Sequence, residues 1–188
     1  MEHSESVTPV DYITILNKVY KDNAEAKAIL LSHGESIYRL AEEISKKHPE
    51  YNVNLQFVKE AAYLHDIGIK FVSAPALHCN GTEKYILHGP LGADLLRTMN
   101  LEALARVAER HTGTGLTAQN VQKQNILVST QRNMMPQTIE EKIVCYCDKF
   151  YSKTKLDQII PYEDIKDKLS KHGDDVVQRL DMLHNMFM

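Results

Sequence analysis

Apolar residues in this chain return every third or fourth position through most of its length, and this restricts the fold more than any other feature. Val10, Ile13, Leu16 and Val19 form one such stripe, and Leu30, His33, Ile37, Leu40, Ala41 and Ile44 form a second along Ala24 to Lys47. Phe57, Val58, Ala61, Ala62 and Leu64 follow Asn54, which is placed to cap them. Leu101, Leu104, Ala105 and Ala108 make the apolar face of a helix opened at Asn100, and Thr138 with Glu141 three residues later gives a capping-box start to the stretch carrying Ile143, Val144, Cys147, Phe150 and Tyr151. The segment after Pro161 reads as helix with a break near Gly173. Only Asn125 to Thr130 reads as a β-branched run. The pattern predicts an all-α bundle of about six to eight helices in a single domain, 1–188, with a core over about 24–153 and terminal helices packed on it.

Charge and cysteine usage narrow the functional classes. The formal net charge of −3 leaves no basic footprint, so no nucleic-acid partner is expected. A phosphorylated ligand would have to be held by local groups. Cys145 and Cys147 lie two apart on a helix and point about 200° apart, so they do not chelate one ion together. Reduced thiols, a polar acidic start and no run long enough to span a bilayer are read as a cytoplasmic protein without a membrane partner. Met182, Leu183, Met186, Phe187 and Met188 form an apolar tail suited either to the core or to a second copy in a homodimer.

Six residues stand out as metal ligands. His33 interrupts the second apolar stripe, and His65-Asp66 ends the third before Gly68, which reads as a helix terminator. His88 precedes Gly89-Pro90, a helix start, and His111 follows a helix and precedes Thr112-Gly113. Asp148 shares a stripe with Val144 and Tyr151, where an unpaired carboxylate costs several kcal/mol to bury and a cation is the simplest remedy. A histidine on an apolar stripe is often a satisfied core residue; it is the set of four histidines and two aspartates that favours ligation. A single catalytic zinc takes three protein ligands, so six donors suit two ions sharing a carboxylate. Imidazole with carboxylate suits iron, manganese, zinc, nickel or cobalt better than magnesium.

The ordered set His33, His65-Asp66, His88, His111 and Asp148 resembles the HD-domain metal-dependent phosphohydrolase superfamily, and Leu64-His65-Asp66-Ile67-Gly68 matches the motif of its HDIG branch. Ile86-Leu87-His88-Gly89-Pro90-Leu91-Gly92-Ala93 and Arg110-His111-Thr112-Gly113 are similar to motifs of bacterial symmetrical diadenosine tetraphosphate hydrolases. The resemblance runs from Leu30 to Tyr151. It implies two divalent ions, iron first, held by the six residues with Asp66 as bridge, and His65 and Asp66 as the catalytic pair. It further implies hydrolysis of a nucleotide, dinucleoside polyphosphate or other small phosphoester by a metal-bridged hydroxide. The same superfamily admits a di-iron oxygenase of the inositol-oxygenase type and non-catalytic nucleotide-binding modules. One departure is plain: the related hydrolases carry a lysine three residues after the aspartate, where this chain has Ile69, with Lys70 next. Candidate substrate contacts are Lys70, His78 in the long 71–85 loop, Thr112, Arg132 and Lys153.

Overall fold

In the computed structural model, which describes residues 9–128 and 132–188, nine α-helices and two short hairpins are found among the described residues. The helices are α1 (Tyr12–Val19), α2 (Ala24–Lys47), α3 (Leu55–Leu64), α4 (His88–Thr98), α5 (Glu102–Arg110), α6 (Ala118–Lys123), α7 (Ile139–Cys147), α8 (Tyr162–Ser170) and α9 (Asp174–Phe187). The fold is all-α. The short helix expected from Thr117 to about Gln124 is α6, and the count exceeds six to eight because Gly173, at φ +127°, divides α8 from α9.

The core is a layered contact of α2 with α3 and α7. Leu30, Ile37, Ala41 and Ile44 of α2 are buried with Val58, Ala61 and Ala62 of α3 and Ile143, Val144 and Cys147 of α7. Each of these three helices starts on a side chain that satisfies an otherwise orphaned amide. Asn23 accepts from the Ala26 N–H at 3.0 Å, Asn54 from Phe57 at 3.1 Å and Thr138 from Glu141 at 3.2 Å. Thr117 and Asn120 cap α6 reciprocally. The C-terminal tail divides its apolar residues: Leu183 and Phe187 join the core, whereas Met182 and Met188 stay exposed. No helix among the described residues is long and apolar enough to cross a membrane.

Several local expectations differ from what is observed. Thr8-Pro9 reads as a cap and first helical position, but helix α1 begins after Asp11, whose carboxylate caps the Thr14 amide; Thr8 itself lies outside the described residues. Asn100 does not cap α5; it sits in the left-handed region at φ 59°, and α5 starts at Glu102. Asn125 to Val128 form a turn after α6 rather than a strand, and the remainder of that run to Thr130 reaches outside the described residues. The 71–85 segment contains the hairpin β1 (Ser73–Ala74) with β2 (Cys79–Asn80), paired Ser73 to Asn80 and Ala74 to Cys79. Helix α7 ends at Cys147, and β3 (Tyr151–Ser152) pairs antiparallel with β4 (Lys155–Ile159) just beyond it. Gly68 is no left-handed helix cap. It lies where the turn after α3 meets α4, and a Cβ there would stand 2.0 Å from the His88 carbonyl and 2.4 Å from the Gly92 nitrogen. The missing side chain brings the segment after His65-Asp66 against the helix that begins with His88.

Candidate metal centre

Helix ends assemble the site. His33 comes from the middle of α2, but His65 is the residue that ends α3, His111 ends α5, and Asp148 ends α7. His88 opens α4. Three helix C-termini thus converge, and their unsatisfied carbonyls give each end partial negative charge that favours a cation. All six residues are buried, with Asp66 and His33 wholly inaccessible.

The donors fall into two groups that share Asp66. His33, His65, Asp66 and Asp148 present one set of ligand atoms, and Asp66, His88 and His111 present another. In the first set, His65 Nε2 is 3.0 Å and His33 Nε2 3.5 Å from Asp66 Oδ2, while Asp148 Oδ1 lies 2.9 Å from His33 Nε2 and 3.4 Å from His65 Nε2. In the second, His88 and His111 Nε2 lie 3.3 and 3.4 Å from Asp66 Oδ1. The two carboxylate oxygens of Asp66 therefore face different histidines.

Tautomers show what the set requires. His65, His88 and His111 each place Nδ1 against the carbonyl three residues earlier: Ala62 at 2.8 Å, Tyr85 at 2.6 Å and Ala108 at 2.8 Å. A carbonyl only accepts, so each Nδ1 carries the proton, and in the neutral ring each Nε2 presents a lone pair. Those lone pairs face carboxylate oxygens and, for His88 and His111, each other at 2.9 Å. Neither oxygen of Asp66 has a well-aligned hydrogen bond, although the Lys153 ammonium stands 2.8 Å from Oδ2, and His65 Nε2 has no well-aligned partner either. Facing acceptors in a buried space need a proton or a cation between them, and in the metal-free chain His65 Nε2 takes a proton toward Asp66 and Asp148. A backbone carbonyl fixing the far nitrogen of each ring is also the usual support for a ligating histidine. The donor set fits a divalent metal.

Charge inside the cluster follows the same logic. Burial pushes the Asp66 carboxyl up, yet His65 and Lys153 outweigh it and hold the group well below the usual carboxylate range. Asp148 is held low against burial by Lys149 and Lys153. Burial lowers His65, but Asp66 and Asp148 overcome it and lift the imidazole to about 9 in the metal-free chain. His88, for which burial dominates, falls to about 3.

The five candidate substrate contacts part company in the structure. Lys153, in the turn between β3 and β4, sets Nζ 2.8 Å from Asp66 Oδ2 and 3.8 Å from Asp148 Oδ1. Thr112 lines the adjoining cavity, and its buried hydroxyl has no hydrogen-bond partner. Lys70, His78 and Arg132 do not line that cavity. Lys70 donates to the Val19 carbonyl at 2.9 Å, and His78 is an exposed turn residue at φ 56°. Arg132 is committed to Asp94 and Glu109. A tight turn rather than continued helix follows Asp66, which aims Lys70 outward. The cavity, about 670 Å³, opens beside the cluster and is lined by His88, His111, Asp148, Lys149 and Lys153 at that end. Residues that sequence pattern does not reveal also line it: Tyr85, its ring tilted against His88 with centroids 4.7 Å apart, and Lys168 and His172 from the α8 end. The apolar spacing of α8 carried the only signal for the last two.

Comparison with known proteins agrees with this geometry. Residues 20–152 match the HD domain family model, and the chain belongs to the HD-domain family. It is 31% identical over 161 residues to a tRNA (cytidine(56)-2'-O)-methyltransferase of Picrophilus torridus, covering 85% of this chain and 41% of that protein. A protein of the same name from Thermoplasma volcanium is 30% identical over 174 residues, covering 90% of this chain and 44% of the relative. The chain thus spans less than half the length of these two relatives. An uncharacterized protein of Methanocaldococcus jannaschii is 31% identical over 160 residues, or 85% of this chain and 82% of its own length. No solved structure matches.

Proposed function

We propose that the chain is a metal-dependent phosphohydrolase acting on a phosphorylated small molecule of nucleotide size. One observation carries this reading: Asp66 turns one carboxylate oxygen to His33 and His65 and the other to His88 and His111, as a bridge between two ions would. His33, His65, Asp148 and Asp66 Oδ2 would hold one ion, and His88, His111 and Asp66 Oδ1 the other. Iron and manganese suit these donors. Such ions lower the pKa of bound water to near neutrality and neutralise charge on phosphoryl oxygens.

The chain's own residues supply the rest. Carbonyls of Ala62, Tyr85 and Ala108 fix the three rings, so the donors need little reorganisation. Lys153 and Lys149 stand at the cluster's open side, where their ammonium groups can hold the non-reacting phosphoryl oxygens. The Thr112 hydroxyl, otherwise unpaired, supplies a further donor beside His111. A cavity of 670 Å³ is of the size that encloses a small organic ligand. Methyl transfer to tRNA belongs to relatives more than twice as long, and no observation at this site favours it.

The test is phosphate release by chain purified anaerobically and supplied with iron or manganese. The panel comprises nucleotides, dinucleoside polyphosphates, simple phosphoesters and tRNA. Turnover of a nucleotide-class compound, abolished by chelator, is expected. A chain with both positions filled that releases phosphate from nothing in the panel overturns the reading.

A further inference from the structure

Helix α8 lies beyond residues 20–152, the part matched by the family, yet it forms a wall of the cavity. It packs on α9 and on the turn that carries Asp148. Ile165, Lys168 and Leu169 follow one another at spacings of three and one on one side of α8, and His172 lies in the turn just beyond its end. All four line the cavity. The two apolar members are buried, and Lys168 and His172 are exposed at the rim. The neighbouring Lys166 is paired with Asp181 at 2.8 Å, whereas Lys168 enters no ion pair among the described residues. The lining also carries the apolar side chains of Leu77, Ile86, Leu116, Ile160, Leu169 and Val176, with hydroxyls of Thr114 and Thr154 among them.

A cavity lined by Lys149 and Lys153 beside the cluster, by Lys168 at the α8 end and by several apolar side chains selects a particular kind of ligand. We infer that it takes an organic bis-anion of nucleotide size, with one phosphate at the histidine–aspartate cluster, an apolar or planar body against Leu116 and Leu169, and a second anionic group at Lys168 and His172. Helix α8 is then the specificity element of the site. This inference rests on the phosphohydrolase reading for the first phosphate and adds the second.

The experiment compares AMP with adenosine 3′,5′-bisphosphate on the manganese-supplied full chain. The ratio of KM values, AMP over bisphosphate, is expected to be about five in the natural chain and to fall to about one in Lys168→Ala/His172→Ala, because each exposed charged contact to phosphate contributes modestly. Lys168→Arg should keep the ratio. Both altered positions are exposed, so folding is not at stake. A ratio near one in the natural chain, or one unchanged in the double variant, overturns the inference while leaving the phosphohydrolase reading intact. If neither compound is hydrolysed, the hydrolase reading fails for them separately, and the same ratio taken from calorimetric Kd values decides this one.

Discussion

Two buried polar clusters meet at the end of α5, and they are built on opposite rules. Glu109 and Arg110 belong to one, and His111, the next residue, belongs to the other; all three are buried. In the first cluster every charge is answered within the chain. Arg110 Nη1 donates to both oxygens of Glu141 at 2.9 and 2.8 Å, and its Nε donates to the Asn133 carbonyl at 3.0 Å. Glu109 accepts from Arg97 at 2.9 Å and from Arg132. In the second cluster the Nε2 atoms of His88 and His111 face each other at 2.9 Å, and neither oxygen of Asp66 has a well-aligned hydrogen bond, although Lys153 stands 2.8 Å from one of them. Burial alone does not separate a structural cluster from a ligand site. The separating feature is whether the donors and acceptors balance without an added partner.

Breaking the balanced cluster should cost stability most. Arg110→Ala leaves the Glu141 carboxylate buried without its main partner and is expected to destabilise the chain by about 3–5 kcal/mol, read as a fall in Tm at constant metal. A loss below about 1 kcal/mol would mean that Glu141 finds water or Arg106 instead.

In the other cluster the expected losses are functional. Lys153→Ala should lower kcat/KM about tenfold or more, as for loss of a charge-assisted contact to phosphate. Lys70→Ala should stay within about twofold, because its ammonium is directed to the Val19 carbonyl away from the cavity. Equal losses in the two variants would contradict the placement of Lys153.

Acidity sharpens the contrast in the chelated chain. With burial outweighed by Asp66 and Asp148, His65 is held up to about 9 when folded, against about 6.5 when unfolded. Its contribution to stability is therefore complete below pH 6.5 and lost as pH rises through 9. The carboxyls of Asp66 and Asp148, held low, contribute above about pH 4 and lose that contribution as pH falls further. Burial keeps His88 neutral, which contributes nothing above about pH 6.5 and penalises the folded chain increasingly below it. Thermal melting of metal-free chain should accordingly decline from pH 6.5 to 9, and manganese should remove that decline by replacing the proton on His65. Identical pH slopes with and without manganese would show that no metal takes that nitrogen.

Much of the site was legible because its chemistry conflicts with its surroundings. Asp148 stood out as a carboxylate on an apolar stripe, and His33 as a histidine on another. The cap residues Asn54, Thr117 and Thr138 were readable for the same local reason, since a side-chain acceptor meets an amide three residues away. What escaped depended on distant contacts. Lys153 is only slightly favoured over Lys70 by lying five residues past Asp148, but the turn after Asp66 sends one out and the β3–β4 hairpin carries the other in. Gly68 reads as a helix end and is used for close approach to α4, which no local pattern encodes. The division of six ligands into two groups depends on which way each Asp66 oxygen faces, and only packing decides that.

The shared role of Asp66 is tested most directly by metal content. Natural chain and Asp66→Ala, reconstituted anaerobically with manganese and freed of excess ion, are analysed for metal per chain, with circular dichroism confirming that the variant is folded. Two ions are expected in the natural chain and neither retained in Asp66→Ala. Two ions retained in the variant would contradict a shared carboxylate.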